Sequence, residues 1–172
     1  MQEMLIYGVS FDLVGKQPIV LLKTQDGNKF LPIWIGHSEA AAILMKLQGA
    51  ATPRPLTHDL FSETLSQLEA HVTKVCVTEL RDNTFFATIT IQQDGGEIEI
   101  DSRPSDAIAL AIRAEAPIFA ADRVIEESAI EFEGEEIDQD RLDEEVAKFR
   151  NFLDEVTPED FVVEEEEEES ED

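Results

Sequence analysis

The strongest constraint on the fold is an order of elements written twice: three β-rich runs, then an alanine-rich helix. Residues 4–14 and 18–23 are apolar and β-branched, and Asp26-Gly27 offers a hairpin turn into a third run over 29–35. Ser38 then caps an alanine-rich stretch over 39–48, with Ile43, Leu44 and Leu47 at helical spacing, which stops at Gly49. Residues 50–55 form a loop broken twice by proline. Thr57 is placed to cap a second helix, whose Leu60, Phe61, Leu65 and Leu68 fall on one face. The order then recurs. Strands are expected over 72–80, 85–92 and 97–100, with turns at 81–83 and 94–96, and Ser105 caps a helix over 106–113. Residues 117–119 read as a short extended piece, and Asp122 begins a further turn of helix.

At an offset of 67 residues the recurrence reaches single positions. Leu31, Ile33, Ser38, Glu39, Ala40, Ala42 and Ile43 fall opposite Ile98, Ile100, Ser105, Asp106, Ala107, Ala109 and Leu110. A Ser-acid-Ala opening is common to many helices, so the order of elements carries more weight than the identities. The expectation is an α+β fold of two β3α-type halves related by an internal pseudo-repeat, with a mostly antiparallel or mixed sheet flanked by helices. Farther on, Leu142, Val146, Phe149 and Leu153 mark an amphipathic helix that docks on the main body or on a neighbouring subunit. The boundaries that follow are a domain over 1–130, an acidic helical segment over 131–157 and a disordered acidic tail over 158–172.

The net charge of −26 is unevenly spread. Residues 1–125 carry 16 acidic and 10 basic side chains, whereas residues 154–172 carry 12 acidic side chains and no basic one. The tail reads as a solubilising appendage or as an adaptation to high internal salt. Non-specific affinity for nucleic acid comes from Lys and Arg neutralising phosphates, so this composition excludes a protein that coats DNA or RNA. Any action on nucleic acid must draw on a local arginine cluster or a metal. The N-terminus has no basic segment followed by a long apolar run, and no stretch has membrane-spanning length, which points to a cytoplasmic protein with no membrane partner. Cys76 reads as a small buried hydrophobe, and Trp34 as a packing residue. Exposed sheet edges suggest a homo-oligomer.

Polar chemistry gathers in two stretches, Arg54-Pro55-Leu56-Thr57-His58-Asp59 and Asp101-Ser102-Arg103-Pro104-Ser105-Asp106. Each places an arginine before a proline at the opening of a helix, where free N–H groups and the dipole favour an anion such as phosphate. Arg54 and Arg103 can present guanidinium forks, with Thr57 and Ser105 completing the substrate-binding set. Asp101, Asp106 and Asp59, with Glu39 as a further carboxylate, are candidates to hold Mg²⁺ or Mn²⁺, which take oxygen ligands. His58, whose reference pKa lies near neutrality, is the candidate proton shuttle beside catalytic Asp59, Asp101 and Asp106. The same residues also serve as helix caps and structural ion pairs. His37 precedes another helix start and carries a weaker signal; His71 precedes a strand.

Three segments together resemble the bifunctional nuclease domain family. They are Leu31-Pro32-Ile33-Trp34-Ile35-Gly36 with Glu39-Ala40, then residues 53–60, and then residues 101–110. The resemblance covers residues 5–130, and residues 151–161 are similar to a segment that follows the domain in bacterial members. It implies an α+β fold and an activity on both DNA and RNA. By motif position it points to Arg54, His58, Asp59, Asp101, Arg103 and Asp106. Two functions are thereby set against each other: a metal-assisted nuclease, and a non-catalytic regulator or scaffold in which these residues form a buried polar network.

Overall fold

Alternation decides the first strands. In the computed structural model, which describes residues 1–12, 16–25 and 29–131, Pro18, Val20, Leu22 and Thr24 are buried while the residues between them are not. That period of two sets one face of a sheet against a core. The strands are β1 (Gln2–Asp12), β2 (Gln17–Thr24), β3 (Lys29–Trp34), β4 (His71–Arg81), β5 (Thr84–Gln93), β6 (Gly96–Ser102), β7 (Ile118–Ala120) and β8 (Ile130–Glu131). The helices are α1 (His37–Leu47), α2 (Thr57–Gln67), α3 (Pro104–Ala114) and α4 (Asp122–Ser128).

Among the described residues all eight strands join one sheet in the order β6-β5-β4-β7-β1-β2-β3-β8. β1, β2 and β3 pair antiparallel in sequence, as do β4, β5 and β6. The two meanders meet on β7, antiparallel to β1 and parallel to β4. The sheet is therefore mixed and the fold α+β, as the element order predicts. The hairpin turns at Asp82-Asn83 and Asp94-Gly95 are two-residue loops with positive φ at both positions, the backbone a type I′ turn requires. The expected Asp26-Gly27 turn, the amphipathic helix around Leu142–Leu153 and the acidic tail lie outside the described residues.

α3 is the central helix. Pro104, Ser105, Ala107, Ile108, Ala109, Leu110 and Ala111 are all buried, and the alanines let the helix approach its neighbours closely. α1 contributes Ala40, Ala42, Ile43 and Leu44 to the same core, beside Leu22, Leu31, Ile33, Val75, Val77 and Val124. Burying side chains such as Ile43, Ile108 and Leu110 contributes about 1.5–3 kcal/mol each.

Three expectations need correction. The three site helices start earlier than the serine and threonine positions suggest: the N-caps are Gly36, Leu56 and Arg103, and none makes a side-chain cap hydrogen bond. Ser38 and Ser105 are thus second helical residues and Thr57 a first. Extended backbone at glycine, leucine and a residue before proline serves the cap geometry, while the acid at the third helical position supplies the favourable charge. Second, the apolar face of α2 does not enter the core. Leu60, Phe61 and Leu68 are exposed, Leu65 packs only against the core's margin, and no α2 residue is buried. Third, Trp34 is 51% exposed and so is not a packing residue.

Candidate functional site

Three helix starts converge through one pattern. Glu39, Asp59 and Asp106 each occupy the third position of their helix, where a carboxylate is stabilised by the free N–H groups and the dipole. Each is also met by an arginine of α3 or its cap. Arg103 donates from Nε to Asp106 Oδ2 at 2.7 Å and from Nη2 to Asp106 Oδ1 at 3.1 Å, a bidentate clasp. The same Nη2 reaches Glu39 Oε1 on α1 at 2.9 Å, and Ser38 Oγ donates to Glu39 Oε2 at 3.2 Å. Gly36 has its own reason to be glycine: a Cβ there would collide with the Glu39 carboxylate held in this clasp.

His58, at the second position of α2, closes the group. Its Nε2 lies 3.0 Å from Asp106 Oδ1, and its side chain is 16% exposed. The two polar stretches singled out in the sequence therefore meet, through His58 of one and Asp106 of the other. Burial opposes ionisation of Asp106, but the Arg103 clasp and the His58 contact outweigh it and hold the carboxyl below the ordinary aspartate range. Asp106 in return pushes Arg103 further up, against the effect of its own burial and with help from Glu39. Asp106 is thus a fixed carboxylate, and a carboxylate can only accept from His58. Nε2–H therefore donates to Asp106 Oδ1, and in the neutral ring that tautomer leaves the lone pair on Nδ1.

Asp59 turns the other way. Its Oδ2 accepts from the Leu56 N–H at 2.9 Å, and its Oδ1 accepts from Arg113 Nε at 2.5 Å. Burial again raises the carboxyl, and the Leu56 N–H and the Arg113 guanidinium together bring it below its ordinary value. Arg113, only 5% exposed, also donates to the carbonyls of Ala109 at 2.8 Å and Ala42 at 3.2 Å. One guanidinium therefore ties α1, α2 and α3 together. Sequence reasoning missed it; the available signal was a single arginine ending an otherwise apolar, alanine-rich helix.

The remaining candidates stand apart. Arg54 is exposed and makes no side-chain hydrogen bond or ion pair among the described residues, and the carbonyl of its backbone accepts from Thr52 Oγ1. Thr57 is exposed at the first turn of α2. Ser105 is buried at 6% exposure and makes no side-chain contact with the arginine–carboxylate cluster among the described hydrogen bonds. Asp101 is exposed on β6, opposite Thr88 of β5, and is joined to none of the others. Among the described residues no three His, Cys, Asp or Glu side chains are grouped as a metal ion needs. Asp59, Asp101 and Asp106 do not assemble into a ligand shell here, because Asp59 and Asp106 are turned to different guanidiniums. No described helix is long and apolar enough to cross a membrane.

Comparison with known proteins identifies relatives of the chain. The chain is 37% identical over 164 residues to an uncharacterized protein of Mycobacterium tuberculosis, spanning 94% of this chain and 98% of the relative. It is 29% identical over 105 residues to Bifunctional nuclease 1 of Arabidopsis thaliana, and 28% identical over 109 residues to Bifunctional nuclease 1 of Oryza sativa subsp. japonica. Those two alignments span 59% and 61% of this chain, but 32% and 33% of the plant proteins. The family model described as the bifunctional nuclease domain matches residues 20–133, a span that contains every residue of the arginine–carboxylate cluster. The chain belongs to the bifunctional nuclease domain family.

Proposed function

We propose that the chain cleaves phosphodiester bonds of nucleic acid, with His58 as the general base and Arg103 as the phosphate ligand. The contact between His58 Nε2 and Asp106 Oδ1 carries the reading. It orients the ring and leaves Nδ1 free to take a proton, the arrangement a carboxylate–imidazole pair provides in acid–base catalysis. Arg103 has five N–H donors, of which Nε and Nη2 are spent on Asp106 and Glu39. Its Nη1 donates to no described residue, and the side chain is 66% exposed. A phosphate placed on Nη1 would have its developing negative charge met by a donor already held rigid. In the step, His58 Nδ1 takes a proton from water as the water oxygen bonds to phosphorus. The P–O bond to the leaving oxygen breaks, and that alkoxide takes a proton from solvent. The names of the plant relatives point to the same class of reaction.

A divalent ion would lower the pKa of the attacking water and neutralise the phosphate, but the described carboxylates do not suit one as a three-donor set, so no step is routed through it. The competing reading is a scaffold, favoured by the way Arg113 and Arg103 tie three helices with few spare donors.

The deciding assay uses purified full-length chain and fluorescent DNA and RNA oligonucleotides, with chelator and then with added Mg²⁺ or Mn²⁺. Cleavage in chelator that falls about 10²–10⁴-fold in folded His58→Ala supports the proposal. Arg103→Ala should lower it by about 10²–10³-fold, as for loss of one preorganised donor. Cleavage seen only with added metal overturns the metal-free step, and no cleavage under any condition favours the scaffold.

A further inference from the structure

A groove of about 340 Å³ opens beside Arg103, between the end of β3 and the β4–β5 turn. Its position is informative about the fold. β3 and β5 stand far apart in the sheet order, so one groove can touch both only if the sheet curls around α3. The lining brings together two aromatic rings, Trp34 and Phe85, with the carboxamides of Gln17 and Asn83 and the hydroxyl of Thr84. Arg103 is the one ionised side chain among the lining residues. The volume lies at the small end of ligand pockets, which begin near roughly 300 Å³.

The proposed activity leaves Trp34 unused, yet it is a large aromatic side chain held half in solvent. It sits on a sheet end fixed by the pairing of Trp34 with Ile19, so its backbone is rigid. A flat apolar ring beside a guanidinium with spare donors matches the two parts of a nucleotide, a π-faced base and an adjoining phosphate. Charge decides which part carries the affinity. Glu39 and Asp106 already outnumber Arg103, and residues 1–125 carry 16 acidic against 10 basic side chains. Phosphate attraction alone is therefore weak at this point, and stacking has to supply the binding. We infer that this groove is a nucleobase subsite, in which an unpaired base of a nucleic-acid strand stacks on Trp34 while its phosphate meets Arg103. The inference rests on the proposed nuclease reading for its ligand class. The carboxamides of Gln17 and Asn83, each both donor and acceptor, are placed to meet the base edge. A base inside a duplex is not available to this site, because both of its faces are already stacked.

Trp34 is the single tryptophan of the chain, so its own fluorescence reports the event. Full-length protein is titrated in chelator with a single-stranded oligonucleotide, the same sequence as a duplex, an abasic strand of equal length and the matching mononucleotide. Expected results are quenching by the single strand and much weaker binding of the duplex and the abasic strand. Trp34→Ala should weaken single-strand binding about five- to one-hundred-fold, measured by anisotropy of a labelled strand, while Trp34→Phe retains most of it. The slope of log affinity against log salt should be shallow, near −1 or less, as one phosphate contact implies. Equal binding of the abasic strand or a steep salt slope overturns the subsite, and a mononucleotide binding as tightly as the strand overturns a nucleic-acid strand as its occupant. If Trp34→Ala binds normally while His58→Ala abolishes cleavage, the subsite fails and the nuclease reading stands. If stacking is seen but no condition gives cleavage, the nuclease reading fails and the subsite stands.

Discussion

Removing the Asp59 carboxylate tests how α2 is attached. This helix buries no residue of its own, and Leu65 only touches the margin of the core, so apolar packing holds it weakly. What fastens it, besides the contact of His58 with Asp106, is the ion pair between Asp59 and Arg113, whose guanidinium is 5% exposed while the carboxylate is 33% exposed. Removing one partner of a fully buried pair costs about 3–5 kcal/mol, because the other charge is left without compensation. Two features lower that figure. Solvent reaches the carboxylate side, and Arg113 keeps its carbonyl acceptors at Ala109 and Ala42. Asp59→Ala should therefore cost about 2–3 kcal/mol. Because each 1.4 kcal/mol is tenfold, the α2 amides should lose protection against hydrogen exchange by about 30- to 150-fold, while those of α3 change far less. Asp59→Asn retains an acceptor for the Leu56 N–H and should lose only part of this. The charge argument is checked by pairing Asp59→Ala with Arg113→Met in urea unfolding. The double variant should cost little more than Arg113→Met alone, giving a coupling of about 1.5 kcal/mol or more. Additive costs, with coupling below about 0.5 kcal/mol, would refute the claim that this pair anchors the helix.

Three further outcomes follow from the same contacts. Asp59 and Asp106 titrate lower in the folded chain than the ordinary aspartate value of about 3.9, so the stability they contribute is fully present above that value and is lost as pH falls through their folded values. Urea unfolding of a chain carrying Asp59→Asn and Asp106→Asn should show a flatter decline of stability in acid than wild type, and an unchanged decline refutes the assignment. Ile108→Ala, at a position with no exposure in the central helix, should cost about 2–5 kcal/mol by denaturant midpoint, with a cost under 1 kcal/mol counting against α3 as the core. Gly36→Ala should push the Glu39 carboxylate off Arg103, and a crystal structure of the variant with that contact intact would contradict the steric reason for glycine.

Strand and helix order was legible because the local signals agree with one another. Alternating burial along β2, the paired turn residues at Asp82-Asn83 and Asp94-Gly95, and the alanines of α3 all state locally what the fold requires. The acids Glu39, Asp59 and Asp106 could also be picked out, since each sits near a helix start. Their partners could not. His58 adjoins Asp59 in the chain but bonds to Asp106, 48 residues away, because successive residues of a helix start face different neighbours. Arg113 was invisible for a similar reason: its partners lie on two other helices. The cap positions were misjudged because proline and glycine backbone geometry replaced a side-chain cap. The apolar residues of α2 were misjudged because a periodic face records what could be buried, not what is buried, and a half-exposed Trp34 is the same lesson for an aromatic.

The three residues of β7 have a mechanical consequence. Among the described residues, the strand pairing that makes two meanders into one sheet runs through Ile118, Phe119 and Ala120, extended by hydrogen bonds from Val75 N–H to the Pro117 carbonyl and from Ala121 N–H to the Val77 carbonyl. Within the sheet the two meanders are thus joined by one short strand, and opening of the sheet between them is expected to begin at that seam. The groove beside Arg103 has one wall on each meander, β3 on one and the β4–β5 turn on the other, so opening at β7 would change the groove's width. Exchange rates of the β7 amides, measured with and without a bound strand, read that coupling directly: a strand that spans the groove should clamp the meanders and slow them.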